Sequence, residues 1–186
     1  GAPTTVAARF PSWRVIVGEA TGLWRMFPGV FPRHLLSADE TGVSRDVDQV
    51  IGAYFLMRRS LFERLRGFDE RFFVYYEEVD LAYRARQAGF RSYLLASTTA
   101  VHFGGVSSDQ VRARRLFYTL RSRLLYAGKH HALPERLLVR LVTLGVEPWL
   151  RLAHAAMVTR SLGAMTEVLK AYLWLLTDRP FLSRQP

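Results

Sequence analysis

An acidic and aromatic segment from Gly67 to Arg84, reading GFDERFFVYYEEVDLAYR, constrains the fold of this chain more than any other feature. It places five carboxylates within twelve residues and interleaves them with phenylalanines and tyrosines. Carboxylates that lie so close together repel one another and are normally solvated, whereas the aromatic side chains favour burial. The clustered carboxylates are therefore explained by a bound cation, by a basic partner, or by a functional role for a carboxylate in a partly dry site.

The end of this segment predicts a helix from Glu77 to Ala88, with Gly89 as its C-cap. Asp80 lies four residues before Arg84, which predicts a helical ion pair. At the helix start, Glu77 and Glu78 would face exposed backbone N–H groups and project from a rigid element, as suits a general base. The alternative is that the two glutamates merely cap the helix. The local pattern leaves both interpretations open.

The other predicted elements give an α/β chain with a helical C-terminal end. The apolar run Val50–Met57 predicts a buried strand in which Gly52 lets another group approach the backbone closely. Ser60 predicts the N-cap of a short helix that Gly67 ends. The further elements are a helix over about 12–27, one or two strands within 90–101, a basic helix over 108–130, and helices from 134 onward with breaks at 148 and 163.

Basic residues lie mostly in the C-terminal part of the chain. Residues 111–186 hold 13 Lys or Arg against 4 Asp or Glu, and the whole chain has a net charge of +10. Such a region suggests an anionic partner, either nucleic acid or a membrane leaflet, with a solvated basic face as the alternative. Aromatic residues cluster with acids rather than with Lys or Arg, which argues against nucleic acid. Residues 137–176 mix apolar, aromatic and basic residues as interfacial helices do, although ordinary helix packing would also explain them.

Two absences limit the chemistry and topology further. The chain contains no cysteine, which excludes disulfides and thiolate metal sites. No apolar run reaches the ~18 residues that a membrane-spanning helix needs, and no apolar leader precedes residue 13. We therefore expect a chain that does not cross a bilayer.

Motifs recur in a fixed order along roughly residues 8–130. They are Gly52-Ala53, Arg58-Arg59, Gly67–Phe73, Tyr76–Leu81, Arg84, Ala88-Gly89, His102, Gly105 and Ser107. This ordered set resembles the bacterial family 2 glycosyltransferases, particularly the rhamnosyltransferase-like branch that builds cell-surface polysaccharides. The chain departs from the family pattern at Glu78, where the family usually has Asp. Glu is one methylene longer than Asp, so a base at this position would reach further. Such a change in the position of a catalytic group can strongly affect the rate.

The resemblance implies an incomplete GT-A (Rossmann-like) glycosyltransferase domain. Residues 1–130 would form its acceptor-side part, and residues 131–186 would form C-terminal amphipathic helices able to associate with a membrane. The nucleotide-binding half of that fold ends in a metal-binding Asp-x-Asp motif, which we expect to lie outside this chain. Asp46-Val47-Asp48 fits the letters, but it follows a polar stretch rather than a buried strand. We interpret it as a coincidence.

The resemblance also implies roles for individual residues. Glu78 is the expected catalytic base. His102 would complete the shell of a divalent metal, Mg²⁺ or Mn²⁺, that the missing Asp-x-Asp motif begins. Contacts with substrate, including diphosphate binding by arginines, are expected from Gly52, Ala53, Glu77, Asp80, Arg121 and Arg123.

The function that follows is an inverting transferase that moves a sugar, with rhamnose as the expectation, from a nucleotide sugar to a glycan or lipid-linked acceptor. The expected location is the cytoplasm, at the inner face of the cell membrane. The alternative is a non-catalytic fragment of such an enzyme that binds only acceptor or membrane. A third hypothesis, a basic nucleic-acid-binding protein, is disfavoured by the lack of any recognition motif.

Overall fold

A computed structural model describes residues 6–98 and 112–178, without the side chains of residues 38 and 39. The fold is mixed α/β and mostly helical, in agreement with the predicted class. The helices are α1 (Trp13–Thr21), α2 (Ala38–Thr41), α3 (Arg59–Arg64), α4 (Glu77–Gln87), α5 (Arg112–His130), α6 (Leu133–Leu141), α7 (Glu147–Met157) and α8 (Leu162–Thr177). A 3₁₀ turn at Leu23–Arg25 follows α1, and a π-helical turn at Val142–Val146 joins α6 to α7.

Two small antiparallel sheets lie in the N-terminal part. Strand β1 (Ala7–Ala8) pairs with β3 (Gln49–Val50), and β2 (Arg45–Val47) pairs with β4 (Ser92–Leu94). Their register sets Ala7 opposite Val50 and Asp46 opposite Tyr93. The sheets bury a cluster of Ala7, Leu36, Val47 and Leu94. This small apolar layer anchors the segment that leads toward Gly52.

The predicted buried strand Val50–Met57 is wrong. Only Gln49 and Val50 pair in a sheet, and the following residues form an exposed turn and an irregular stretch. Tyr54 and Leu56 are largely exposed, so the apolar run does not enter a core. An apolar run becomes a buried strand only where neighbouring strands accept its hydrogen bonds, and β1 offers two residues.

Helix boundaries agree with the sequence in some places and differ in others. Helix α1 begins after Ser12, whose hydroxyl accepts a hydrogen bond from the Val15 N–H. Helix α4 begins at Glu77 as predicted, and Gly89 lies just past its end with a φ of 88°. The predicted N-cap Ser60 is wrong, because α3 begins two residues earlier than that cap implies and Arg58 occupies the cap position. The first residues of the predicted helix 108–130 lie outside the described residues, and α5 is described from Arg112.

The C-terminal helices share one core with the N-terminal part of the chain. Side chains from α1, α5, α6 and α8 form this buried cluster, with α5 contributing three of the seven: Ile16, Leu120, Leu124, Ala127, Val139, Tyr172 and Leu175. The cluster crosses the predicted division at residue 130, so α5 packs on both sides of it. Within residues 6–98 and 112–178, no helix combines the length and the apolar character needed to cross a membrane.

Candidate functional site

A strained turn immediately precedes the two glutamates at the start of α4. Tyr75 and Tyr76 both adopt left-handed backbone conformations, with φ values of 64° and 70°. Residues other than glycine reach this region at a cost of about 1–3 kcal/mol each, and they remain there only when their surroundings hold them. Two such residues in succession are therefore a built feature of the molecule. They determine how the chain enters α4 and where Glu77 and Glu78 project.

Helix α5 holds this turn in place. The Arg121 guanidinium donates a hydrogen bond to the Arg71 carbonyl, and the Ser122 hydroxyl donates to the Val74 carbonyl, both at 2.9 Å. The guanidinium of Arg123 lies beside the hydroxyl of Tyr76. Three consecutive residues of one helix thus contact the segment that leads into α4.

Glu78 has the properties of a carboxylate in a partly dry site. Its side chain is half-buried, and one carboxylate oxygen is buried without a hydrogen-bond partner among the described residues. Burial raises the pKa of Glu78, and the neighbouring carboxylate of Glu77 raises it further, while backbone N–H groups at the helix start act in the opposite direction. One oxygen of Glu77 is buried and unpaired in the same way. Each of the two glutamates retains an oxygen that the helix start does not use, and the choice between base and cap stays a prediction.

Gly52 lies near this carboxylate, although not so close that only a glycine would fit. A Cβ atom at position 52 would lie 3.6 Å from Glu78 Cγ and 3.8 Å from its Cδ. Gly52 and the adjacent Ala53 are exposed in a turn rather than buried in a strand. The structure therefore brings Gly52, Ala53, Glu77 and Glu78 to one exposed edge of the molecule.

Asp80 lies deep in the protein and is bonded to three basic side chains. Its carboxylate is 2.7 Å from Arg84 Nε, 2.6 Å from Lys129 Nζ and 2.7 Å from His130 Nε2. Burial would raise the pKa of Asp80, but the hydrogen bonds from these three groups outweigh it and lower the pKa. The helical pair with Arg84 is confirmed. Because the carboxylate is fully buried, its contacts within the chain give it a structural task.

Asp69 extends this cluster of charges. Its carboxylate accepts hydrogen bonds from Arg71 and, at 2.7 Å, from Lys129 Nζ. Those bonds lower the pKa of Asp69 strongly, against a smaller opposing effect of burial. Lys129 therefore bridges two carboxylates and ties α5 to both ends of the acidic segment. The basic partner that the acidic segment needs is supplied from within the chain.

The two arginines predicted to bind substrate are engaged inside the chain. Arg121 Nε lies 2.8 Å from Asp178 Oδ2. Arg123 is nearly buried and pairs with Glu147 at 2.5 Å, a carboxylate that Arg151 also contacts at 2.6 Å. Their substrate-binding roles stay predictions. In the structure, both arginines help to hold the turn that precedes α4.

The described residues do not form a metal site. Among residues 6–98 and 112–178, no three His, Cys, Asp or Glu side chains lie close enough to hold an ion. Asp46 pairs with Arg91, and Asp48 pairs with Arg86 and accepts a hydrogen bond from the Phe10 N–H. These contacts agree with the interpretation of Asp46-Val47-Asp48 as a coincidence. His102 lies outside the described residues, so its predicted role is untested.

Sequence reasoning missed several residues that support the site. Tyr76, Ser122, Lys129 and Glu147 carry no local signal of this role, since each acts through a partner at least 24 positions away in the chain. Tyr76 does carry a local sign of an unusual conformation, although not of its partner, because it directly precedes a predicted helix start. A helix entered from a tyrosine rather than from Ser, Thr, Asp or Asn suggests an unusual backbone.

Curated relatives match about half of the chain. An N-acetylglucosaminyl-diphospho-decaprenol L-rhamnosyltransferase from Mycobacterium tuberculosis is 34% identical over 88 residues, which cover 47% of this chain and 29% of the relative. The rhamnosyltransferase WbbL of Escherichia coli is 30% identical over 90 residues, which cover 48% of this chain and 34% of the relative. This part of the chain is related to rhamnosyltransferases.

The relationship extends to one further sugar transferase. The low-salt glycan biosynthesis hexosyltransferase Agl10 of Haloferax volcanii is 31% identical over 84 residues, which cover 44% of this chain and 27% of the relative. The matching segment thus spans about a third of the length of these relatives. No protein-family model and no solved structure matches the chain. The predicted resemblance to rhamnosyltransferase-like glycosyltransferases is confirmed by the relatives.

Proposed function

We propose that this chain carries the acceptor-side part of an inverting family 2 glycosyltransferase of the GT-A fold, with Glu78 as the catalytic base. The observation that carries the proposal is the carboxylate of Glu78, which has one buried, unpaired oxygen and a raised pKa at an edge left open by Gly52. The names of the rhamnosyltransferase relatives support sugar transfer as the reaction. A base needs an unpaired carboxylate oxygen within reach of a hydroxyl. Glu78 has the unpaired oxygen, and we propose that the acceptor hydroxyl approaches it past Gly52.

The proposed reaction is a single displacement at the sugar. The Glu78 carboxylate accepts the proton of an acceptor hydroxyl as the hydroxyl oxygen attacks the anomeric carbon. The bond from that carbon to the diphosphate oxygen breaks, and the nucleoside diphosphate leaves with the electron pair. Attack from the face opposite the leaving group inverts the anomeric configuration. The raised pKa brings the base closer to the operating pH, where proton transfer is most effective.

The substrates follow from the relatives' names. We propose a nucleotide-activated rhamnose or related hexose as donor and a glycan or a lipid-linked diphosphate sugar as acceptor. A divalent metal, Mg²⁺ or Mn²⁺, stays a prediction of the family resemblance. The described residues do not fit one, so the proposed proton transfer uses the side chain of Glu78 alone.

The decisive test is the pair of variants Glu78→Gln and Glu77→Gln in the full-length protein that carries this sequence. We expect Glu78→Gln to abolish transfer from a nucleotide rhamnose, because the amide cannot accept the proton. Glu77→Gln should retain measurable turnover, since Glu77 is proposed only to contact substrate. Circular dichroism establishes that both variants fold. Retained turnover in Glu78→Gln would remove Glu78 as the base.

Calorimetry separates the enzyme from the alternative, a fragment that binds only acceptor or membrane. The chain of 186 residues is titrated with a nucleoside diphosphate in the presence of Mn²⁺. Tight binding would contradict the fragment hypothesis, because it requires a donor site within this chain. Undetectable binding, together with turnover by the full-length protein, would support it.

We also propose that α6 rests on the anionic inner face of the cell membrane. Leu133, Leu137 and Leu141 follow one another at four-residue intervals and are exposed by 59%, 51% and 64%. Residues four apart share a helix face, so these leucines form one apolar stripe. Arg136 and Arg140 flank it, and neither has an ion-pair partner among the described residues. Apolar residues beside free cations are typical of helices bound to anionic lipids.

Vesicle sedimentation tests this surface. We expect the chain to bind vesicles that contain phosphatidylglycerol, and Arg136→Gln with Arg140→Gln to weaken that binding by about fivefold per charge removed, from ~1 kcal/mol each. Arg59→Gln, on the exposed side of α3, is the matched control and should change little. Equal binding to pure phosphatidylcholine vesicles would contradict electrostatic recognition.

A further inference from the structure

Glu147 is a buried carboxylate for which the proposed reaction has no use. It begins α7 and is 1% exposed. Both of its oxygens are bonded, one to Arg123 on α5 and the other to Arg151 one turn later on α7. A buried charge costs several kcal/mol unless it is paired, and such a pair is a weak source of net stability. Its role is therefore to be sought in what it orients.

The pair with Glu147 connects α7 to the strained turn. Arg123 is almost fully buried, and its guanidinium lies between the Glu147 carboxylate and the Tyr76 hydroxyl. Glu147, Arg123 and Glu78 all act electrostatically on the Tyr76 hydroxyl. A guanidinium is planar with its donors in a fixed fork, so a carboxylate bound on one side fixes where the other donors point. The orientation of Arg123 toward Tyr76 thus depends on Glu147.

Tyr76 needs such support because its own backbone conformation is unfavourable. A left-handed tyrosine relaxes toward ordinary conformations unless its side chain is held. Its ring packs against Tyr126 with centroids 5.6 Å apart, and its hydroxyl lies at Arg123. The ring contact and the guanidinium beside the hydroxyl both hold the side chain of Tyr76. Relaxation at Tyr76 would rotate the first turn of α4 and displace Glu77 and Glu78.

We propose that Glu147 is a positioning residue for the base, which it holds in place through Arg123 and Tyr76. The proposal rests on the proposed function of Glu78, because a displaced turn matters to turnover only if Glu78 acts in transfer. It assigns α7 a part in the active geometry, although α7 itself lies away from Gly52 in the sequence and supplies no group to the reaction.

The first test uses the chain itself and requires no activity. Hydrogen exchange is compared for the native chain, Glu147→Gln and Glu147→Asp at the amides of residues 80–82, the first N–H groups of α4 with backbone acceptors. We expect Glu147→Gln to speed exchange at these amides by about tenfold or more, because the turn opens locally. Glu147→Asp keeps the charge and should restore part of the protection.

A core variant separates positioning from general stability. Val139→Ala, on α6, removes methyl groups from the cluster that α5 shares and lowers the melting temperature without touching Glu147 or Arg123. It should leave exchange at residues 80–82 close to the native rate under native conditions. The same acceleration in Val139→Ala, or none in Glu147→Gln, would overturn the proposal.

The second test measures turnover in the full-length protein. We expect Glu147→Gln to lower kcat by up to about 100-fold, the effect of misplacing a catalytic group by an ångström, with acceptor KM changed little. Val139→Ala should keep kcat. A kcat unchanged in Glu147→Gln despite faster exchange would overturn the link to catalysis. If Glu78 is not the base, the Glu78→Gln variant will retain turnover. That outcome would not affect the hydrogen-exchange result for Glu147.

Discussion

Gly52 and Glu78 face each other at ordinary contact distance, since a Cβ atom added at Gly52 would lie 3.6 Å from Glu78 Cγ. This distance accommodates a methyl group without displacing the glutamate. A larger, branched side chain at position 52 would fill the space beside the carboxylate in which we propose that the acceptor sugar lies.

Enlarging position 52 should weaken acceptor binding without unfolding the protein. We expect Gly52→Leu to raise acceptor KM by about tenfold or more, from a loss of ~1–3 kcal/mol of contacts. Gly52→Ala is the graded control and should have a smaller effect. Because Gly52 is exposed, both melting temperatures should stay within a few degrees of the native value. Unchanged KM in Gly52→Leu would place the acceptor elsewhere.

Removing the charge of Glu78 should stabilise the protein at neutral pH. The folded state raises the pKa of this carboxyl above its ordinary value of 4.5, so it binds the proton more tightly than the unfolded state does. Native stability therefore falls as pH rises from 4.5 through the folded pKa. Glu78→Gln lacks this loss. Its melting temperature should exceed the native one at pH 7.5, and the difference should shrink toward pH 4.5.

The control for that experiment is Glu63→Gln, which removes a carboxylate from the exposed pair with Arg59. An exposed pair of this kind contributes about 0–1 kcal/mol. The variant should therefore show no stabilisation at pH 7.5. A lower melting temperature for Glu78→Gln across the whole pH range would mean that the carboxylate is a structural group.

Neutralising Asp80 should destabilise the fold strongly. Asp80→Asn leaves Arg84, Lys129 and His130 facing an amide in a buried site, and breaking such a group costs about 3–5 kcal/mol. Urea unfolding measures the change. Asp46→Asn breaks an exposed pair with Arg91 and should cost less than about 1 kcal/mol. Similar losses in both variants would show that burial of Asp80 does not matter.

The same site predicts a loss of stability in acid. The folded state lowers the pKa of Asp80 and of Asp69, so their contribution is present above the ordinary value of 3.8 and is lost as pH falls through the folded pKa. Unfolding free energy should therefore decline below about pH 5. Asp69→Asn should flatten this decline, which acid titration followed by circular dichroism measures.

Removing the Ser122 hydroxyl should loosen the turn before α4. Ser122→Ala leaves the part-buried Val74 carbonyl without its donor, a loss of about 0.5–1.5 kcal/mol. Thr119→Ala, on the same helix, removes a hydroxyl that bonds only to the Arg115 carbonyl and should change stability by less than about 0.5 kcal/mol. Amide exchange at residues 80–82, the first protected amides of α4, should quicken in the first variant alone.

The sequence predicted those features that depend on neighbouring residues. The start of α4 at Glu77 and the pair of Asp80 with Arg84 both follow from local patterns over a few residues. The close approach at Gly52 was also predicted, although the strand around it was wrong. Strand pairing depends on distant partners, and the apolar letters of Val50–Met57 do not show whether those partners exist.

Roles that depend on long-range contacts could not be predicted in the same way. Arg121 and Arg123 look like diphosphate ligands in the sequence, because guanidinium groups near a family motif suit that task. Their carboxylate partners, Asp178 and Glu147, lie 57 and 24 residues further along the chain. Folding brings these charges together, and no local pattern distinguishes an arginine bound to a ligand from one bound to its own chain.

The three contacts from Arg121, Ser122 and Arg123 have a geometric consequence. Consecutive residues on a helix point about 100° apart, so these three side chains span roughly half of the circumference of α5. The segment that they hold must therefore curve around the helix instead of lying along one side. A segment that curves around the helix in this way is held from more than one side of α5. Any rotation of α5 about its axis would therefore also move the segment that leads into α4.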